Sequence, residues 1–189
     1  TSLFTTQQKI RPAADRLQAA VDIIRDSKKC VVICGRGAVQ AGALDAATRL
    51  ARRIGALTAT TLVAKGRFGQ GEDCDYHAGI AGMFSTRTVM QLFEEADCAI
   101  AIGASLNPHT IEGGYLFPQG KIIHIDAEPC IVMGNGRAAD CYVQGDAAST
   151  LQELLDILGK DSTNRGYHTP EVRRTIVNAG RDPAEYEIE

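Results

Sequence analysis

The chain has 189 residues, and its 20 Lys plus Arg against 23 Asp plus Glu leave a formal net charge of -3. A chain of this length buries roughly 70% of the surface its unfolded form exposes, enough for one ordinary core without staples. The missing basic face argues against a nucleic-acid partner. No run approaches the roughly 18 apolar residues of a membrane span, and Thr1-Ser2-Leu3-Phe4-Thr5-Thr6 is no secretory start.

Taken in chain order, the apolar residues switch repeatedly between helical and strand spacing. Pro12 suits a first helical turn, and Leu17, Ala20, Val21 and Ile24 then repeat on one face before Lys28-Lys29. Val31 to Ile33 is a short β-branched run that stops at Gly35. Leu44, Ala47, Leu50, Ala51 and Ile54 form the next stripe, with Gly55 in the position of a C-terminal cap, and a strand from Leu57 to Thr61 follows. Ser85 or Thr86 caps a helix carrying Val89, Phe93 and Ala96. Cys98 to Ile102 and Ile122 to Ile125 read as fully buried strands. Asp146 caps the last helix of this series, with Leu151, Leu154, Leu155 and Leu158 inward and Gly159 at its end. The alternation predicts right-handed crossovers and a parallel sheet. Beyond Gly159 the composition is that of a linker, with a short helix after Pro170 and an acidic tail. The expected division is a linker over 1–10, a Rossmann-like domain over 11–159 and a tail over 160–189 that leads towards a further domain.

Six stretches run from a strand-like segment into glycine, a small polar residue or an acid: Cys30 to Gly37, Leu57 to Gly66, Tyr76 to Met83, Cys98 to Asn107, Ile122 to Asp126 and Tyr142 to Asp146. In a doubly wound sheet the loops at the carboxyl ends of the strands line one crevice, where ligands bind. The first, Gly35-Arg36-Gly37-Ala38-Val39-Gln40, lacks the third glycine of a dinucleotide fingerprint. It reads equally as a tight turn and as a phosphate cradle opening a helix. The second strand ends Thr60-Thr61-Leu62, without the carboxylate that would bind ribose hydroxyls. Asp126 reads as either a ribose acceptor or a turn cap, and Asp146 more as a helix cap than as a ligand. Lys65 and Arg67 read as solvated cations that could also neutralise phosphate, and His77 and His109 as structural. The six cysteines show no zinc spacing; Cys30, Cys34 and Cys98 read as reduced core residues, which points to a reducing, cytoplasmic compartment.

The span from about Lys9 to Leu158 resembles the central domain of thiamine-diphosphate-dependent enzymes of the acetolactate synthase and pyruvate oxidase type. The resemblance is carried by Val31 to Gly37, Thr60 to Gly66, Gly79 to Met83, Glu95 to Asp97 with Ile102 to Ala104, Lys121 to Asp126, and Gly145 to Ala147, in the family's order. It implies an α/β fold in three layers, with a six-stranded parallel Rossmann-like sheet of the DHS-like NAD/FAD-binding type. In some members this sheet holds FAD, in others ADP, and in others nothing. The positions it implies for cofactor contact are Gly35, Arg36, Gly37, Thr61, Leu62, Gly82, Met83, Gly103, Ala104, Asp126, Asp146 and Ala147. Where flavin-binding members carry a middle glycine, a histidine, an arginine and an acid, this chain has Arg36, Phe84, Ser105 and Asn107.

The family holds thiamine diphosphate and magnesium through Gly-Asp-Gly and a later Asn-Asn. Gly145-Asp146-Ala147 is only a partial echo, and no Asn-Asn occurs. The resemblance therefore implies a non-catalytic middle domain, without catalytic or metal-binding residues, packed between the two thiamine-diphosphate-binding domains of a parent enzyme that acts on 2-keto acids. Such parents are homo-oligomers, dimers or tetramers. The alternative is an autonomous flavin or nucleotide-binding module, such as an electron-transfer domain. A nicotinamide-dependent deacylase would want a catalytic His and a four-cysteine zinc site, and neither is recognisable.

Overall fold

In the structure, a computed structural model, residues 9–69, 75–128, 136–159 and 166–186 are described. Helix α1 (Ala14–Asp26) leads to β1 (Cys30–Cys34), a five-residue helix α2 (Arg36–Gln40), α3 (Leu44–Ile54) and β2 (Leu57–Thr60). Strand β3 (His77–Ile80), α4 (Arg87–Glu94), β4 (Cys98–Ile102), β5 (Lys121–Asp126), β6 (Cys141–Gln144), α5 (Ala147–Leu158) and α6 (Pro170–Ala179) complete the order. The strands pair in parallel as a six-stranded sheet in the order β3-β2-β1-β4-β5-β6. The predicted parallel α/β sheet is therefore the observed one.

Alternation along the strands divides the core between the two faces. Cys30, Val32, Cys34, Ile100, Ile102, Ile123 and Ile125 meet the inner stripes of α1, α3 and α5. Val31, Ile33, Ala99, Ala101 and Ile122 meet Val89 and Phe93 of α4, together with Ile111, Leu116, Phe117, Tyr167 and Ile176. Because both faces are covered, β1 and β4 are buried at every residue, which is why they read as unbroken apolar runs.

The helix ends follow their local chemistry. Gly55 closes α3 at φ 62°, a left-handed angle that costs glycine nothing. The Thr86 hydroxyl accepts from the Val89 N–H to start α4, and Asp146 accepts from the Ser149 N–H to start α5. Pro12 stands ahead of the α1 cap residue Ala13 rather than inside the first turn. Asp97 ties the α1–β1 turn to β4, since its two carboxylate oxygens accept from the N–H groups of Lys28 (2.7 Å) and Lys29 (2.9 Å).

The stretch with linker composition is docked over 166–186. Tyr167 is buried, and its hydroxyl donates to the Leu92 carbonyl of α4. His168 donates to the Ala56 carbonyl at 2.9 Å and stacks on Tyr76 at 4.0 Å. Helix α6, started by Thr169 and Pro170, lies beside α4, and Glu185 accepts from the Thr88 N–H at 3.0 Å. Composition could not show this, because the anchoring falls to a few side chains in an otherwise polar stretch.

Candidate functional site

The strand order places β1 beside β4, so the chain leaves the sheet in opposite directions at this pair, where a doubly wound fold opens its crevice. The structure brings Gly35, Arg36 and Gly37 against Gly103 and Ala104 here. The Gly35 N–H donates to the Ile102 carbonyl (3.0 Å), and the Gly37 N–H donates to the Gly103 carbonyl (2.9 Å). A Cβ on Gly35 would overlap the Gly103 oxygen and the Ala104 Cα, and one on Gly37 would lie 2.9 Å from the Gly103 Cα. Gly103 itself has φ +50°. These glycines are thus required by the approach of two backbones, whatever else lies at the crevice. Arg36 is exposed.

On the β2–β3 side the Thr61 N–H donates to the Cys34 carbonyl at 3.1 Å, while its buried hydroxyl oxygen has no partner. Leu62 and Val63 follow in a 3-10 turn and face outward. Gly82, at φ +87°, has no room for a Cβ beside the His109 carbonyl, which accepts from the Met83 N–H at 3.0 Å. His109 Nδ1 lies 2.8 Å from the Met83 sulfur. Ser105 is exposed, and Asn107 turns into its own loop, its oxygen accepting from the N–H groups of His109 and Thr110.

At the β5–β6 side both acids are already engaged. Asp126 accepts from the Glu128 N–H at 3.1 Å, the turn-cap arrangement, and its other oxygen lies 3.7 Å from His124 Nε2. His124 is buried and donates to the Ala104 carbonyl at 3.0 Å, so it joins the loops after β4 and β5. Burial alone would raise the Asp126 carboxyl; His124 and the N–H groups of Glu128 and Ala127 outweigh it and hold the carboxyl below its ordinary value. Asp146 is the α5 cap, with Lys9 3.5 Å away and its own N–H donating to the Ile10 carbonyl at 2.9 Å. Burial raises this carboxyl too, but Ser149 and Lys9 prevail and it is lowered. Ala147 opens α5 and is buried. The sequence reading assigned His124 no role, although its i, i+2 spacing from Asp126 puts the two on one face of β5.

Lys65 and Arg67 are exposed, whereas His77 pairs with the Thr58 hydroxyl at 3.1 Å inside the fold. Cys30, Cys34, Cys98 and Cys141 are free and buried; Cys74 and Cys130 lie outside the described residues. A cavity of about 240 Å³ lies on the flank of β2, lined by Thr48, Thr58, Phe68, Tyr76 and His168, among others, and none of the rim positions borders it. Among the described residues no group of three His, Cys, Asp or Glu could hold a metal ion, and no helix is long and apolar enough to cross a membrane. Asp146 holds Ser149 and Lys9 through Oδ1, and among the described residues it stands in no group of three possible metal ligands, so it does not by itself make a magnesium–diphosphate site.

Comparison with known proteins gives one consistent answer. The family described as thiamine pyrophosphate enzyme, central domain, matches residues 17–154. The "Probable acetolactate synthase large subunit" of Methanocaldococcus jannaschii is 35% identical over 144 residues, which are 76% of this chain and 24% of that protein. The acetolactate synthase large subunit of Corynebacterium glutamicum is 32% identical over 146 residues, 77% of this chain and 23% of that protein. The chain thus spans about a quarter of the length of these relatives. The crystal structure of benzoylformate decarboxylase from Polynucleobacter necessarius matches the fold with a TM-score of 0.66 at 18% identity, covering 85% of this chain and 30% of that one. This family match, over the same strands and turns that build the rim, places the chain in the thiamine pyrophosphate enzyme central-domain family.

Proposed function

We propose that the chain serves as the non-catalytic central domain of a larger thiamine-diphosphate-dependent enzyme that makes or breaks a carbon–carbon bond beside the carbonyl of a 2-keto acid, in the manner of an acetolactate synthase. The observation that carries this is the family match over 17–154, together with relatives of whose length the matched span is only about a quarter. Thiamine diphosphate and magnesium would be held by the two domains that flank this one, because clustered oxygen ligands for a hard cation are missing among its described residues. The parent would assemble as a homo-oligomer, a dimer or tetramer, in a reducing cytoplasm that suits free thiols such as Cys34.

The twelve rim positions are the surface through which the domain would act, either by holding FAD or ADP or by meeting its neighbours. The autonomous electron-transfer module is not favoured, since the relatives are synthase subunits. The test is to express the full reading frame and follow pyruvate consumption with added thiamine diphosphate and magnesium. Cofactor-dependent turnover supports the reading; a full-length protein that ignores 2-keto acids refutes it.

A further inference from the structure

The cavity of about 240 Å³ on the flank of β2 stands apart from the rim. Ala56 and Tyr76, which line it, come immediately before β2 and β3, so it lies towards the amino ends of these strands, whereas the rim is at their carboxyl ends. Its walls are apolar and aromatic. Ala51 of α3, Ala56 and Phe68 are buried, and Tyr76 and His168 stack with ring centroids 4.0 Å apart and planes 13° apart. Burial holds His168 below the ordinary histidine value, so its ring is neutral at pH 7. An apolar cavity of about 150 Å³ already admits benzene. The larger space here has room for one aromatic ring and a small polar substituent.

The polar groups of the lining decide what that substituent is. The Thr58 hydroxyl is engaged by His77 Nδ1 at 3.1 Å, and the Asp75 carboxylate is neutralised by Arg173 at 3.0 Å. Among the described residues of the lining, Arg52 is the cation; it lies exposed in the last turn of α3. Its guanidinium carries five N–H donors in a planar fork, so it can bind a carboxylate in addition to its other contacts. Thr48 lines the cavity four residues earlier on the same face of α3 and brings a hydroxyl beside it. Apolar and aromatic walls with a few placed polar groups are the make-up of a small-molecule site.

We propose that this cavity binds a small aromatic carboxylate, its ring among Phe68, Tyr76 and His168 and its carboxylate on Arg52 and Thr48. The site goes beyond the reading of the chain as a central domain and does not depend on it. Occupancy also bears on the fold, because His168 belongs to the docked segment 166–186 and leaves the lining if that segment detaches. A ligand that needs His168 binds the docked form in preference, so ligand and docking strengthen each other.

The test titrates benzoate at pH 7.5 into the 189-residue chain, followed by backbone amide chemical shifts. Gly69, Tyr76 and His168 shift saturably with a Kd of about 1 mM or tighter, while Gly35 and Gly103 at the rim do not move. Benzamide, the same shape without the charge, binds at least about tenfold more weakly, and Arg52→Gln removes this preference. Thr48→Phe places a ring in the cavity and abolishes binding. Benzoate slows amide exchange over 170–179 in the 189-residue chain and in the full-length protein. Absence of saturable shifts at the cavity amides, or shifts that a folded Thr48→Phe variant retains, would overturn the site. Equal affinity for benzoate and benzamide, or an Arg52→Gln variant that keeps the preference, would overturn the carboxylate assignment even if Thr48→Phe fails to fold. Unchanged exchange over 170–179 at saturation would overturn the coupling to the docked segment.

Discussion

Replacing Gly35 by alanine separates a glycine needed for packing from one needed for a ligand. The backbone at Gly35 has φ -103°, an angle any residue adopts, so the substitution adds no dihedral strain. What it adds is a methyl group that would overlap the Gly103 oxygen and the Ala104 Cα and lie 2.9 Å from the Ala104 Cβ. Carbon atoms rest about 3.5–4.0 Å apart, so the turns after β1 and β4 must separate. Overpacking of this kind costs about 1–3 kcal/mol, and loss of the Gly37 N–H to Gly103 carbonyl bond adds about 1 kcal/mol. A total near 3 kcal/mol lowers the melting temperature of a chain this size by about 6–12 °C. Gly42→Ala is the control: its φ of +67° carries strain of about 1–2 kcal/mol, but nothing lies within 4 Å of the new methyl. Urea unfolding of the two variants gives the comparison directly. If Gly35→Ala is tolerated as well as Gly42→Ala, the turns after β1 and β4 are not packed as described.

Tyr167→Phe removes the bond to Leu92 and should cost about 1–2 kcal/mol, with amide exchange rising first in 170–179 and not in β1 or β4. Exchange that rises equally everywhere would contradict a locally docked C-terminal segment. Asp97→Ala leaves the Lys28 and Lys29 N–H groups without their acceptor and should cost about 2–4 kcal/mol, with Asp97→Asn losing less because one acceptor remains; equal losses would show that the carboxylate is not their shared partner. Burial lowers His77 and His168 from the ordinary histidine value, so the folded state disfavours their protonation. Their contribution is complete above the unfolded pKa of about 6.5 and is lost as pH falls through the folded values. Asp126, Asp146 and Glu185 are also lowered, and their contribution is lost at still lower pH, beginning near the unfolded carboxylate values of about 4. The urea midpoint should therefore fall from pH 7.5 to 5 and then further below 4; a midpoint that rises on acidification would contradict these assignments.

The central strands were readable from sequence because β1 and β4 are buried at every residue with unbroken apolar runs, and β5 is buried over 122–125. Helices α3, α4 and α5 were readable because Gly55, Thr86 and Asp146 sit where capping chemistry wants them. The rim glycines were found, but not their reason: the approach of Gly35 and Gly37 to Gly103 spans more than sixty residues of sequence, and spacing within one loop carries no trace of it. His124 was passed over because a histidine inside a strand gives no signal until the loop after β4 is seen to supply its acceptor. The docked stretch 166–186 was hidden for a similar reason, since Tyr167 and Glu185 find their partners on α4 and His168 finds its own at Ala56 and Tyr76, just ahead of β2 and β3.

The most direct test of the central claim is calorimetric titration of thiamine diphosphate, with magnesium present, into the 189-residue chain and into the full-length protein. The account predicts no binding to the former and saturable binding to the latter. Saturable binding by the 189 residues alone would show that they carry cofactor machinery of their own, and the reading of the chain as a non-catalytic central domain would fall.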